Sequence, residues 1–183
     1  MKKLLFTLFA ITLAACSAQG DTPADQRAAI DKMNNEILAK IDKESPGARA
    51  MALGANGGYA TFTNGQVNII FVAAGNGYGV ATSKSGRKTY MDMYEAGVGL
   101  GMGAKDYDVL FVFHTAEAFN DFVNKGWVFG AEADAAAKTG DKGLGVSGGM
   151  TIGDITVFQL TESGLALQAT LKGTKYVKND RLN

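Results

Sequence analysis

Two periodicities divide the chain. Over residues 24–43, Ile30, Met33, Ile37, Leu38 and Ile41 recur every three or four positions, while Arg27, Lys32, Glu36 and Lys40 fall on the other faces. That spacing predicts a helix with one apolar stripe, which either docks on the protein's own core or lies at a membrane surface. Ser45-Pro46-Gly47 stops it. From Ala48 onward the period drops to two. Residues 67–74 (VNIIFVAA) and 107–113 (YDVLFVF) predict strands, the second apolar on both faces and hence central. Residues 127–135 alternate, with Trp127, Phe129, Ala131 and Ala133 facing one way and Val128, Glu132 and Asp134 the other. Residues 155–160 and 165–171 predict a closing pair across Thr161-Glu162-Ser163-Gly164. A short helix fits residues 115–124, capped by Thr115, apolar along Ala118, Phe119 and Phe122, and ended by Lys125-Gly126. Strands this closely spaced favour antiparallel pairing over βαβ units. The expected fold is α+β: a strongly twisted antiparallel β-sheet or partial barrel, with an N-terminal amphipathic helix and one short internal helix.

Glycine modifies this picture in two places. Across residues 96–104 (AGVGLGMGA), Gly97, Gly99, Gly101 and Gly103 alternate with Val98, Leu100 and Met102. On a strand this strips one face of side chains, so something packs close against the backbone or the sheet bends sharply. An aromatic ring, the Ile-rich helix or an acyl chain each fits such a face. Gly75-Asn76-Gly77-Tyr78-Gly79 has turn chemistry and is expected as a turn.

The N-terminus carries an address. Met1-Lys2-Lys3 and the apolar run over residues 4–13 lead into Leu13-Ala14-Ala15-Cys16, which looks like a bacterial lipobox. Residues 1–15 are then a lipoprotein signal peptide, 16–24 a lipidated tether, and 25–183 one domain. Cys16 would carry a diacylglycerol thioether and an amide-linked acyl chain, and more than one chain suffices for stable anchoring. Ser17, in place of the aspartate that retains lipoproteins at the inner membrane, favours the outer membrane, facing the periplasm. Loss of Lys2 and Lys3 leaves the mature chain weakly acidic.

Composition narrows the chemistry. One Cys and one His exclude disulfide frameworks, multi-thiolate metal sites and two-histidine zinc motifs. Equal numbers of cations and anions, 18 of each, and a hydrophobic fraction of 46% exclude disorder and a nucleic-acid footprint. Neither glycine cluster forms a strand–G-x-G-x-x-G–helix unit, and no G-x-x-x-x-G-K-[ST] is present. His114 ends the central strand without a G-x-S-x-G elbow, so a hydrolase pairing it with Asp106 or Asp108 ranks last. Asp106/Asp108 and Glu132/Asp134 each project to one face, as on a solvated sheet. No catalytic residue, metal or cofactor is assigned. Two basic patches stand out: Lys84, Arg87 and Lys88 at a hairpin over residues 83–89, and Lys172, Lys175, Lys178 and Arg181 toward the C-terminus.

In order along the chain come Gly77-Tyr78-Gly79-Val80, the ladder from Gly97 to Ala104, Asp108-Val109-Leu110-Phe111-Val112-Phe113 and Ala118-Phe119-Asn120-Asp121-Phe122. Gly126-Trp127-Val128-Phe129-Gly130-Ala131-Glu132-Ala133 follows, then Gly164-Leu165 and Gly173-Thr174-Lys175. Together they resemble the SYLF-domain family across about residues 45–180. The resemblance implies a compact β-rich domain that binds acidic lipids, with actin binding in some eukaryotic members and lipoprotein anchoring common in bacterial ones. The family's basic N-terminal region falls here on Lys32, Lys40, Lys43 and Arg49, interleaved with Asp31, Glu36, Asp42 and Glu44. The expected function is therefore a non-enzymatic, lipid-anchored envelope protein whose partner is membrane lipid. Lys32, Lys40, Lys43, Arg49, Lys84, Arg87, Lys88, Lys172, Lys175 and Lys178 are the headgroup candidates. The alternative is an apolar-ligand carrier with a pocket lined by Val98, Leu100, Met102 and Trp127. No protein partner is assigned.

Overall fold

The computed structural model describes residues 18–69, 72–97, 103–129, 142–144, 148–162, 164–166 and 174–183. Helix α1 spans Pro23–Glu44. Thr22 caps it reciprocally: the Asp25 amide donates to Thr22 Oγ1 at 3.2 Å, and the Thr22 amide donates to Asp25 Oδ2 at 3.2 Å. The helix ends where the Ser45 amide donates to the Ile41 carbonyl and Gly47 turns left-handed at φ 95°.

A second helix, α2 (Ala48–Gly54), follows at once. The period-two expectation from Ala48 onward is corrected here. Seven residues are too few to display a helical period, yet Ala, Arg, Met and Leu are strong helix formers. Asp42 anchors its start, accepting from the Gly47 and Arg49 amides at 3.0 and 3.2 Å.

The strands are β1 (Gly58–Ile69), β2 (Val72–Ser83), β3 (Lys88–Gly97), β4 (Gly103–Phe113), β5 (Trp127–Phe129), β6 (Lys142–Leu144), β7 (Met150–Ile152), β8 (Ile155–Thr161), β9 (Gly164–Ala166) and β10 (Thr174–Lys178), with helix α3 (Ala116–Lys125) between β4 and β5. They form one open antiparallel sheet ordered β5-β10-β3-β2-β1-β4-β8-β7-β6, and β9 also pairs with β8. The α+β expectation holds, and β4 is central as its two apolar faces required.

Two strand expectations need correction. Residues 67–69 and 72–74 of the expected strand lie on two paired strands, β1 and β2, with Ile69 opposite Val72, and residues 70–71 lie outside the described residues. Gly75 to Gly79 lie inside β2, paired with β1 on one side and β3 on the other. A Cβ at Gly79 would collide with the Thr61 carbonyl oxygen and the Phe62 ring, and one at Gly77 with the Thr63 carbonyl oxygen. These glycines allow close approach rather than a turn. Residues 98–102 of the glycine ladder lie outside the described residues. The β8–β9 connection is tighter than expected, with Thr161 opposite Gly164.

Alternation sorts the side chains onto two faces. One face carries Phe62, Met91, Met93, Phe111, Phe113 and Tyr176 against Phe119 and Phe122 of α3. Most of its rings meet edge-on or tilted, with Phe62 and Tyr176 centroids 4.7 Å apart, Phe111 and Phe122 5.3 Å, and Phe113 and Phe119 5.5 Å, while Phe111 and Phe113 stack at 6.3 Å. The other face receives both N-terminal helices. Ile37, Leu38 and Ile41 pack on Tyr59, Leu110, Val112 and Phe158, while Ile30 packs on Val80 and Tyr90. The Ile stripe is thus spent on the protein's own core.

Candidate functional site

Helix α2 and the β2–β3 hairpin meet at one end of the sheet. Arg49 and Leu53 stand one turn apart on the exposed side of α2, and Leu53 is 55% exposed. The hairpin closes through Ser83, whose amide donates to the Arg87 carbonyl and whose carbonyl accepts from Gly86, both at 2.9 Å. Gly86 supplies φ 83° there. This turn sends Lys84 Nζ to within 3.0 Å of the Gly54 carbonyl oxygen at the end of α2, where a cation complements the helix dipole. Among the described residues, neither Arg49 nor Arg87 has a carboxylate in ion-pair reach. The result is a projecting leucine with Arg49 on its own helix, Lys84 at that helix's end and Arg87 on the same hairpin.

The remaining headgroup candidates are placed differently. Lys88 pairs with Asp31 at 2.8 Å, and that hydrogen bond holds its ammonium above the ordinary lysine pKa. Lys32 pairs with Glu36 at 3.8 Å and Lys40 with Asp108 at 3.0 Å. Lys178 donates to Asn124 at 2.8 Å. Lys43 is exposed in the last turn of α1, and Lys175 is exposed opposite Tyr94, on the far stretch of β3. The cations therefore do not form one surface: Lys84 reaches the end of the helix that carries Arg49, Arg87 closes the same hairpin, and four others are engaged by neighbouring side chains. Cys16, Lys172, Val98, Leu100 and Met102 lie outside the described residues, as does the side chain of Trp127. So do Glu132 and Asp134.

The chain enters near this same end. Ala18 is buried against Ile30, Val80, Tyr90 and Leu182. A clamp closes over it: Arg27 Nη1 donates to the Leu182 carbonyl at 3.3 Å, Arg181 bonds Gln26 Oε1, and Asn183 exchanges hydrogen bonds with the Tyr90 backbone at 2.9 and 2.8 Å. Tyr90 follows Arg87 by three residues of β3, about 10 Å.

His114 sits beyond the end of β4, exposed, with Nε2 and Thr156 Oγ1 2.8 Å apart. Asp108 lies six residues away along the strand, about 20 Å, and its carboxylate is taken by Lys40. The two do not make a catalytic dyad. Among the described residues no group of three His, Cys, Asp or Glu side chains is placed to hold a metal, and no helix is long and apolar enough to cross a membrane.

The interior contains a polar network that sequence reasoning missed. Glu95 Oε2 accepts from Asn64 Nδ2 and from the Tyr107 hydroxyl, both at 2.7 Å, with Glu95 only 8% exposed. Thr174 lies directly across from Glu95 on β10. Burial first, then the Glu95 charge, pushes the Tyr107 phenol well above its ordinary value, and burial does the same to Tyr176. The available signal was the break in apolar alternation at Phe62-Asn64 and Met91-Met93-Glu95. Leu53 had no such signal, because its helix was not foreseen.

An open antiparallel sheet with helices on both faces and glycines along a central strand defines a β-rich α+β domain. The family profile described as "Ysc84: Las17-binding protein actin regulator" matches residues 94–183, from within β3 through β10 and the C-terminal clamp, in agreement with the SYLF-domain resemblance of the sequence. It is also similar to the protein named "Beta cell expansion factor A" of Aeromonas veronii, with 32% identity over 158 residues covering 85% of this chain. The match spans 58% of that relative's length.

Proposed function

We propose that this is a non-catalytic membrane-contact protein: a SYLF domain tethered through acylated Cys16 to the periplasmic side of the outer membrane, which binds lipid through its α2–hairpin end. The observation that carries this reading is exposed Leu53 flanked by Arg49 on α2 and by Lys84 of the hairpin that also carries Arg87, at the end of the sheet where Ala18 is buried. Each cation near an anionic surface contributes about 1 kcal/mol. Burying the leucine in the interface adds about 1.5–3 kcal/mol. The cation contribution is screened by salt, because exposed charges lose reach as the Debye length shrinks.

The test uses the mature chain without its acyl groups and phosphatidylglycerol vesicles. It should sediment with them at low salt and release at about 0.5 M salt. Leu53→Asp combined with Lys84→Glu and Arg87→Glu should weaken sedimentation more than tenfold, while Lys175→Glu leaves it unchanged. Failure to sediment at low salt, or a tip variant that binds as well as the parent, would overturn the proposal.

A further inference from the structure

A slot of about 270 Å³ opens between α1 and the outer face of the sheet. Lys32, Glu36 and Lys40 recur every four residues along α1, forming one stripe of alternating charge at its rim. Asp108 faces them from β4, and Lys40 reaches it across the slot at 3.0 Å. The Asp108 side chain is 14% exposed and that of Lys40 56%, so the carboxylate is recessed in the slot and the lysine reaches it from the rim. Lys32 and Glu36 are 80% and 54% exposed and 3.8 Å apart, a loose pair at its mouth. Met33 and Ile37 supply apolar lining between them.

We infer that this slot takes the zwitterionic ammonium–phosphate headgroup of a membrane phospholipid, phosphoethanolamine being the simplest; the inference rests on the membrane reading above. Two cations and two carboxylates complement neither a net anion nor a net cation. A ligand with one charge of each sign replaces the internal pairs in kind. Its phosphate takes the place of a carboxylate against Lys40 and Lys32, and its ammonium donates to the Asp108 and Glu36 oxygens that those lysines release. No charge is left unpaired at the exchange, which is the condition for bringing ions into a partly buried site. The volume falls just under the ~300–1,000 Å³ of sites that enclose drug-sized ligands, so it holds a headgroup and leaves the acyl chains outside. Gln19 also lines the slot. Gln19 follows Cys16 by three residues in the sequence, so acylation at Cys16 tethers the slot's lining to lipid.

The test titrates glycerophosphoethanolamine, a soluble headgroup, into the mature full chain by calorimetry. Saturable binding is expected, at least tenfold weaker for glycerophosphoglycerol, which lacks the ammonium. Lys40→Gln and Asp108→Asn should each weaken it tenfold or more. Lys32→Gln, at an exposed position that does not threaten folding, should weaken it several-fold with an unchanged melting temperature. In a second arm, adding phosphatidylethanolamine to phosphatidylglycerol vesicles should increase the fraction bound at about 0.5 M salt, where the tip cations are screened. Equal binding of the two soluble headgroups, or no saturation, would overturn the inference even if acidic vesicles still sediment the protein. Saturation by the soluble probe with no response to phosphatidylethanolamine in vesicles would overturn the lipid source. If vesicle binding through the tip fails while both arms succeed, the slot stands and the tip reading falls.

Discussion

Tyr107→Phe removes a single hydroxyl from the interior and leaves the ring in place. That hydroxyl is one of two donors to the same oxygen, Glu95 Oε2, with the Asn64 amide as the other, each at 2.7 Å. A hydrogen bond to a charged group contributes about 1.5–3 kcal/mol, because its loss leaves the carboxylate less well solvated than in water. For a domain of this size each kcal/mol corresponds to about 2–4 °C, so the variant should melt about 3–12 °C lower. Glu95→Gln keeps an acceptor of the same shape but removes the charge, and neutral bonds are about half as strong. The double variant decides the matter. If both residues act through the shared bond, the two costs fall short of additivity by about 1–2 kcal/mol, measured by urea unfolding followed by circular dichroism. Additivity within about 0.5 kcal/mol, or a Tyr107→Phe cost below that, would refute the network as a stabilising unit.

Alkaline pH should weaken the fold. Burial, with the Glu95 charge next for Tyr107, raises the Tyr107 and Tyr176 phenols above the ordinary value of 10.0. The folded state therefore keeps protons that the unfolded state loses. Their stabilisation is intact below about pH 10 and declines above it by up to about 1.4 kcal/mol per pH unit for each tyrosine. Urea midpoints between pH 8 and 11 should show the decline, with phenolate absorbance from these two rings emerging only on unfolding; a flat profile refutes it. Gly79→Ala should destabilise by about 3 kcal/mol or more, since its Cβ meets the Thr61 carbonyl and the Phe62 ring with no slack between paired strands; a melting temperature within 2 °C of the parent would contradict the close-approach argument. Leu182→Ala, at a site 4% exposed, should cost about 2–4 kcal/mol and raise amide exchange at Ala18 and the first turn of α1; unchanged exchange there would show that the clamp does not hold that turn.

Local patterning was enough for some parts of this molecule and silent on others. The apolar stripe from Ile30 to Ile41 and the stop at Ser45-Pro46-Gly47 marked α1 to within a residue at each end, because both signals are local. The apolar core of β4 announced its central place in the same way. Gly75 to Gly79 misled, since the dipeptides that build turns also occur where a neighbouring ring and carbonyl must come close, and the neighbour, Phe62, is supplied by another strand. The cations were legible as residues but not as partners. Lys40 meets Asp108 and Lys88 meets Asp31 only after α1 crosses the sheet, so charges that read as available headgroup contacts are in fact internal ties. The tip patch was half visible: Arg49, Lys84 and Arg87 stood out by charge, while Leu53, without a foreseen helix beneath it, did not.

Ala18 and Leu182 share one small cluster with Ile30 and Tyr90. Mechanical load applied between the two ends of the described chain therefore falls first on that cluster and on the Asn183–Tyr90 bonds that fasten it to β3. Such a pull would peel the C-terminal latch from the first turns of α1 before it strained the paired strands, so the domain should yield in two stages, with the aromatic interior giving way last.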